Sequence, residues 1–190
     1  MSSTGAAMDV LDLLGAEHAA IERLFDATGG ASTDEGRAGL ALRLCRALTV
    51  PAASEEELLY PAAAGVLSDA QLVLRAEVEH AGIKEIVRRL EQLPPSDRRF
   101  AASLKVLEER VCHHFQEEER RLFTRLKAST LDLPALGERI ARRRVQLARA
   151  LGTPVEPLEA WPRAPRCRPA DGRTPLPRRE TSQPRPRIPR

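Results

Sequence analysis

The chain has few aromatic residues and no long apolar run. Of its 190 residues, 3% are aromatic, with one Trp and one Tyr among them. No stretch approaches the ~20 consecutive apolar residues of a membrane-spanning helix, so we predict no membrane segment. Residues 1–8 also lack a basic segment followed by an apolar stretch, which argues against a secretory signal.

Cysteine is scarce as well. The three cysteines are Cys45, Cys112 and Cys167, and none of them forms a CxxC motif. An odd number of cysteines without metal-binding or redox spacing is typical of reduced thiols. We therefore expect a cytoplasmic protein.

Positive charge and proline are concentrated at the C-terminal end. Residues 152–190 hold ten of the fifteen prolines, and nine arginines against four acidic residues. That net charge of +5 leaves about −2 for residues 1–151, so the basic pI says nothing about a nucleic-acid-binding face on the folded part. The composition predicts a helical domain over 1–151 and a disordered Pro/Arg-rich tail over 152–190, whose partner is unknown.

The rest of the chain favours helix. Ala, Leu, Glu and Arg dominate residues 8–150, and apolar residues recur at three- and four-residue steps. We predict five helices, at about 8–27, 32–64, 68–93, 96–127 and 134–151, with capping boxes at Ser32 and Ser68. Short links make the first four antiparallel neighbours. The predicted fold is an all-α, up-down-up-down four-helix bundle with a short C-terminal helix.

The two halves of this helical region repeat with an offset of 62 to 63 residues. The pattern Glu-His-Ala-x-Ile stands at residues 17–21 and again at 79–83. A second pattern pairs these positions of the two halves: Pro51 with His114, Glu55 with Glu118, and Tyr60 with Phe123. The repeat therefore predicts histidine at position 51, where the chain has proline.

Five ionisable residues fall on the helix rows that otherwise carry Leu, Ile and Val. They are His18, Glu55, His80, His114 and Glu118. Burying such groups is unfavourable unless they are paired or bind a metal. A single buried histidine is usually hydrogen-bonded core, but five such residues on four helices indicate a metal site. Imidazole with carboxylate suits iron, manganese or zinc, and carboxylates on two helices could bridge two ions about 3.5–4 Å apart.

These residues resemble the hemerythrin-like (HHE cation-binding) family, whose members are four-helix bundles with a non-haem di-iron centre. The similarity covers about residues 10–126, and the family order His, His-xxx-Glu, His, His-xxx-Glu is matched at five of six positions. The resemblance implies iron as the cofactor, with Glu55 and Glu118 as bridging ligands and His18, His80 and His114 as terminal ligands.

Pro51 departs from the family pattern. It removes one imidazole and one backbone donor, and it clashes with the Ala47 carbonyl at about 3 kcal/mol, so a kink is expected there. Three interpretations stay open: a di-iron site with one position filled by water, a single metal near His80, His114 and Glu118, or a degenerate metal-free scaffold. If Pro51 marks a lost ligand, Pro51→His is expected to raise the iron content toward two per chain and to straighten the second helix.

Several neighbouring residues have two interpretations. His113 lies about 100° around the helix from His114, which places it on the flank unless a shifted helix turns it inward. Tyr60 is a core aromatic or a hydrogen-bond donor to the site. The remaining acidic neighbours are interpreted as surface charge: Glu56, Glu57, Glu117 and Glu119. The basic run 142–144 is interpreted as a solvated flank, which makes nucleic acid an unlikely partner.

The resemblance also implies a range of functions. Its first implication is a protein that binds or senses oxygen, nitric oxide or peroxide at the metal, or that handles iron. A di-iron enzyme with catalase-like or oxidase activity is the alternative, and we rank it below a metal- or gas-binding protein. A metal-free helical scaffold is the third hypothesis.

Overall fold

A computed structural model describes residues 8–152, and this part of the chain contains helices, turns and loops without a β-strand. The predicted tail lies outside the described residues, apart from Gly152. The seven α-helices are α1 (Val10–Gly29), α2 (Asp34–Ser54), α3 (Tyr60–Val66), α4 (Ala70–Leu90), α5 (Arg98–Glu117), α6 (Phe123–Lys127) and α7 (Leu133–Ala150). Two π-helical segments, Glu55–Leu59 and Glu118–Leu122, join α2 to α3 and α5 to α6.

The helices form the predicted antiparallel bundle. α1 packs along α2 and α4 packs along α5, while α2 and α5 continue through their π-helical segments into α3 and α6. The fifth predicted helix is α7, which packs against α1, α2 and the segment Glu55–Leu59. None of these helices between residues 8 and 152 is long and apolar enough to cross a membrane.

Side-chain oxygens cap the starts of α1, α2, α4, α5 and α7, but two predicted caps are wrong by one residue. α2 is capped by Thr33, whose hydroxyl accepts from Gly36 N at 3.1 Å, rather than by Ser32. α4 is capped by Asp69, which accepts from Gln71 N at 3.2 Å, rather than by Ser68. In both places two adjacent residues could cap, and sequence spacing alone does not choose between them.

The two π-helical segments stand at equivalent positions of the repeat. Each begins at a carboxylate, Glu55 or Glu118, and each closes with a hydrogen bond from a backbone N–H to the carbonyl five residues back. The donors are Tyr60 and Phe123. Because the second segment follows His114 and has no proline before it, a preceding proline is not required for such a segment. Such π-helical turns are frequent at functional sites.

Pro51 lies inside α2 and does not end it. The helix continues to Ser54, whose hydroxyl donates to the Pro51 carbonyl at 2.8 Å. The proline therefore changes the side chain offered at this position while the helix that carries Glu55 is kept.

Two apolar clusters fill the bundle, one toward each end. The first includes Ile21, Phe25, Leu44, Leu107 and Phe115, and the second includes Leu14, Leu59, Tyr60, Leu126 and Ile140. Along α1, His18 falls between the residues of the second cluster and those of the first. The polar residues of the repeat therefore occupy a layer in the middle of the bundle.

Gly137 allows α7 to approach the start of α1 closely. A Cβ atom built on Gly137 would lie 2.8 Å from the Met8 carbonyl oxygen and 2.9 Å from Val10 N. Both are backbone atoms, which cannot move aside as a flexible side chain can. Glycine is therefore required here for α7 to pack where it does.

We expect Gly137→Ala to lower the free energy of unfolding by about 1–3 kcal/mol because α7 must shift away from α1. The matched control is Gly82→Ala in α4, where a Cβ meets no atom within 4 Å. That change should raise stability by about 0.5–1 kcal/mol. Urea unfolding of both variants measures the difference, and equal stabilisation by the two would contradict the close packing.

Candidate metal centre

The five predicted site residues all lie in the polar layer and are buried. Their relative exposures are between 1% and 4%. His18 comes from α1 and His80 from α4, while Glu55 and Glu118 start the π-helical segments and His114 lies in the last turn of α5. Each of the four antiparallel helices of the bundle (α1, α2–α3, α4 and α5–α6) thus contributes a polar side chain to the same layer.

Glu55, His80 and His114 form a compact cluster, with one ligand atom from each within 4.8 Å of the others. The Nε2 atoms of His80 and His114 are 2.9 Å apart, and His80 Nε2 is 3.4 Å from Glu55 Oε2. A metal ion with bonds of about 2.1 Å holds neighbouring ligand atoms about 3.0–3.4 Å apart. The spacing therefore fits an ion bound by these three side chains.

His18 joins this cluster through Glu118. His18 Nε2 lies 3.5 Å from Glu118 Oε2, and His114 Nε2 lies 3.6 Å from the same oxygen. Within residues 8–152, neither His18 Nε2 nor Glu118 Oε2 has a hydrogen-bond partner. Buried polar atoms are normally satisfied, so two such atoms facing each other also fit a place for a cation.

A carboxylate holds the outer nitrogen of each site histidine. The Nδ1 atoms of the three histidines each lie 3.0 Å from a carboxylate oxygen, in the pairs His18–Glu119, His80–Glu56 and His114–Glu79. A carboxylate only accepts, so each Nδ1 donates, and each Nε2 faces the centre, where it can offer a lone pair once the imidazole is neutral. This arrangement orients metal-binding histidines.

These contacts correct the interpretation of two residues. Glu56 and Glu119 were predicted to be surface charge, but their carboxylates orient His80 and His18. They were missed because their side chains are 30% and 39% exposed and adjoin Glu55 and Glu118 in sequence. The signal for Glu79 was present, since the repeat places a glutamate before both His18 and His80.

Tyr60 does more than pack in the core. It is fully buried, and its hydroxyl donates to Glu118 Oε1 at 2.9 Å and lies 3.1 Å from His80 Nε2. Burial and the nearby Glu118 and Glu55 carboxylates raise the Tyr60 pKa well above its ordinary value, so the phenol keeps its proton. Of the two interpretations, the hydrogen-bonding one matches this contact.

His113 does not replace the missing imidazole. Its side chain is 55% exposed, and its Nε2 lies 3.0 Å from Arg75 Nη2 on the outside of the bundle. The flank position predicted from the helical period is therefore the observed one.

Arg144 is a site residue that sequence reasoning missed. It was interpreted as part of a solvated basic run, but it is only 5% exposed and its guanidinium enters the bundle. The Nε donates to Ser54 Oγ at 3.0 Å, Nη2 donates to Glu55 Oε1 at 3.4 Å, and Nη1 forms a close ion pair with Glu17. The available signal was its place on the buried row of α7: Leu136, Ile140, Arg144 and Ala148.

Burial and mutual interaction shift the pKa values of the centre. Burial, together with the Glu118 charge, raises the Glu55 pKa to about 7. Burial would also raise the Glu118 pKa, but positive charge on His114 and His18 outweighs it and lowers that pKa to about 2. Burial, together with His114, lowers the His80 pKa to about 4. A carboxylate at Glu118 and a neutral imidazole at His80 are the forms that bind metal.

A small cleft lies beside the centre, with Glu118 among its lining residues. It is lined by Leu72, Arg75, Ala76, Glu79, Glu117, Glu118 and Leu122. Arg75 pairs with Glu79 and Glu117 along it, with N–O distances of 3.0 Å in both pairs.

Comparison with known proteins identifies a family and a protein of the same fold. A model of the hemerythrin HHE cation-binding domain matches residues 9–143. This chain belongs to that family. A crystal structure of a hemerythrin HHE cation-binding domain-containing protein from Mycobacterium kansasii is similar to this HHE chain with a TM-score of 0.63 and 24% identity, over 75% of this chain and 88% of that chain. A comparison with functionally characterised proteins found no match.

We expect Glu79→Ala to weaken the binding of a divalent metal ion, tested with ferrous iron, about 10–100-fold because His114 would lose the carboxylate that orients its ring. The matched control is Glu77→Ala, which removes an exposed carboxylate two residues earlier in α4 of this HHE domain. Anaerobic titration gives both affinities. Equal affinities for the two variants would contradict an orienting role for Glu79.

Proposed function

We propose that this HHE-domain protein binds non-haem iron in the middle of its bundle and uses it to bind or sense oxygen, nitric oxide or peroxide, or to handle iron. The observation that carries the proposal is the set of three histidines whose Nδ1 atoms are held by carboxylates. Their Nε2 atoms face the two buried carboxylates of Glu55 and Glu118. A cytoplasmic location belongs to the same proposal, but the expectation of reduced thiols is wrong for Cys112, which is disulfide-bonded, and holds for Cys45.

The ligand set favours iron over metals that prefer sulfur ligands. Imidazole nitrogens and carboxylate oxygens suit iron, with manganese and zinc as competitors, while no cysteine sulfur is among the five site residues. Glu55, His80 and His114 would hold the first ion, and Glu118 and His18 complete the layer. The family resemblance implies two ions that share the carboxylates of Glu55 and Glu118. In this structure the Arg144 guanidinium faces one oxygen of that pair, Glu55 Oε1.

The protein's own residues would prepare the site for a small ligand. When bound, iron supplies a redox-active Lewis acid that can take an oxygen or nitrogen donor. Phe115 and Phe123 stack on the His18 ring, with ring centroids 3.7 Å and 5.8 Å away, and place apolar atoms beside the layer. The Tyr60 hydroxyl supplies one hydrogen-bond donor inside it.

An enzymatic function is the second candidate, and Tyr60 is the observation that favours it. Its hydroxyl is a fixed hydrogen-bond donor at the centre, 2.9 Å from Glu118, and such a donor can stabilise negative charge that develops on a peroxide oxygen. Rapid peroxide turnover by the iron-loaded protein that falls at least 10-fold in Tyr60→Phe would establish catalase-like activity. Reversible oxygen binding without turnover would establish the first function.

We expect the chain to retain iron after anaerobic loading with ferrous iron and removal of unbound metal. His114→Ala should lose at least 10-fold in iron affinity because it removes one of the three clustered ligands. The matched control is His113→Ala, which removes the neighbouring exposed histidine and should leave the affinity unchanged. Metal analysis, with circular dichroism to confirm folding, measures both.

The same experiment decides the scaffold hypothesis. Iron retention by the unmodified chain no greater than that of a folded His80→Ala/His114→Ala variant would mean that the bundle is metal-free. Iron retention that His113→Ala and His114→Ala reduce equally would place the metal outside the polar layer.

A further inference from the structure

Arg144 is the one strongly basic side chain that the described part of the molecule places inside the polar layer. The two arginines before it have side chains that are 66% and 37% exposed, whereas the Arg144 side chain is 6% exposed. Burying a guanidinium is unfavourable without several acceptors. It donates to Ser54 and Glu55, which belong to the turn that carries the site carboxylate, and it forms an ion pair with Glu17.

We propose that the Arg144 guanidinium takes the place of a second metal cation, so that the centre binds a single ion at Glu55, His80 and His114. This inference rests on the proposed iron-binding function. It makes Arg144 a positioning residue that sets the number of metal ions.

The two oxygens of Glu55 face different groups. Oε2 faces the metal cluster, 3.4 Å from His80 Nε2, while Oε1 faces the guanidinium, 3.4 Å from Arg144 Nη2. A carboxylate that bridges two metal ions presents one oxygen to each. Here Glu55 bridges instead between the histidine pair and a permanently charged side chain.

The same side of the centre lacks the histidine that the repeat predicts. Arg144 Nε donates to Ser54 Oγ, and Ser54 in turn donates to the carbonyl of Pro51. The guanidinium is therefore two hydrogen bonds from the position where the sixth ligand would stand. A second ion would have only His18 and Glu118 as further ligands, and it would be repelled by the guanidinium.

A purely structural role for Arg144 predicts a different result. If the guanidinium served only to dock α7, removing it would lower stability without changing the number of ions bound. If it replaces a cation, removing it changes the stoichiometry once position 51 offers an imidazole. If Arg144 replaces a cation, Pro51→His alone is not expected to raise the iron content, contrary to the expectation from the sequence.

The test compares four proteins after anaerobic loading with ferrous iron: the unmodified chain, Pro51→His, Pro51→His/Arg144→Gln and Pro51→His/Arg142→Gln. We expect about one iron per folded chain in all except Pro51→His/Arg144→Gln, which should bind about two. The matched control removes the exposed Arg142, whose side chain pairs with Glu138 in the same helix. Pro51→His/Arg144→Leu replaces the glutamine variant if that protein does not fold.

Electron paramagnetic resonance of the oxidised proteins gives a second readout. We expect the signal of an isolated high-spin ferric ion in the unmodified chain, and its loss through magnetic coupling in the variant that binds two ions. About two coupled irons in the unmodified chain or in Pro51→His would overturn the inference while leaving iron binding intact. About one iron in both the glutamine and leucine double variants would overturn it as well. An unmodified chain without iron would overturn the proposed function itself.

Discussion

Glu55 and Glu118 place two carboxylates in the apolar middle of a helical bundle, and the other polar residues are arranged around them. A buried carboxylate is unfavourable unless a cation or hydrogen-bond donors lie close. His18, His114 and Tyr60 face Glu118, while His80 and Arg144 face Glu55. The two π-helical segments, which begin at these two glutamates, are the backbone feature that both halves of the chain share.

The two oxygens of Glu55 have different partners, and the histidine predicted by the repeat is absent on one of these two sides. On the side of His80 and His114, two imidazoles, each oriented by an outer carboxylate, face one Glu55 oxygen. On the other side, Pro51 supplies no donor, and a guanidinium from α7 faces the second Glu55 oxygen. Helix α7 is thus part of the site as well as of the packing, and Gly137 allows it to lie close against α1.

Much of this could be predicted from the sequence because helical period and internal repeat are local signals. They predicted the bundle, its fifth helix and the buried positions of all five candidate residues. They could not identify Glu56 and Glu119 as partners of histidines, because that depends on which neighbouring helix each exposed carboxylate reaches. Arg144 was missed because it stands in a run of three arginines, and only its place on the row of Leu136 and Ile140 distinguishes it.

The proposed centre holds one metal ion between Glu55, His80 and His114, with Arg144 as the neighbouring positive charge. Anomalous diffraction at the iron edge from crystals of the iron-loaded chain tests it most directly. We expect one strong peak among these three side chains, with the guanidinium still on the second Glu55 oxygen. Two peaks sharing Glu55 and Glu118, with Arg144 displaced, or a single peak outside the polar layer, would contradict it.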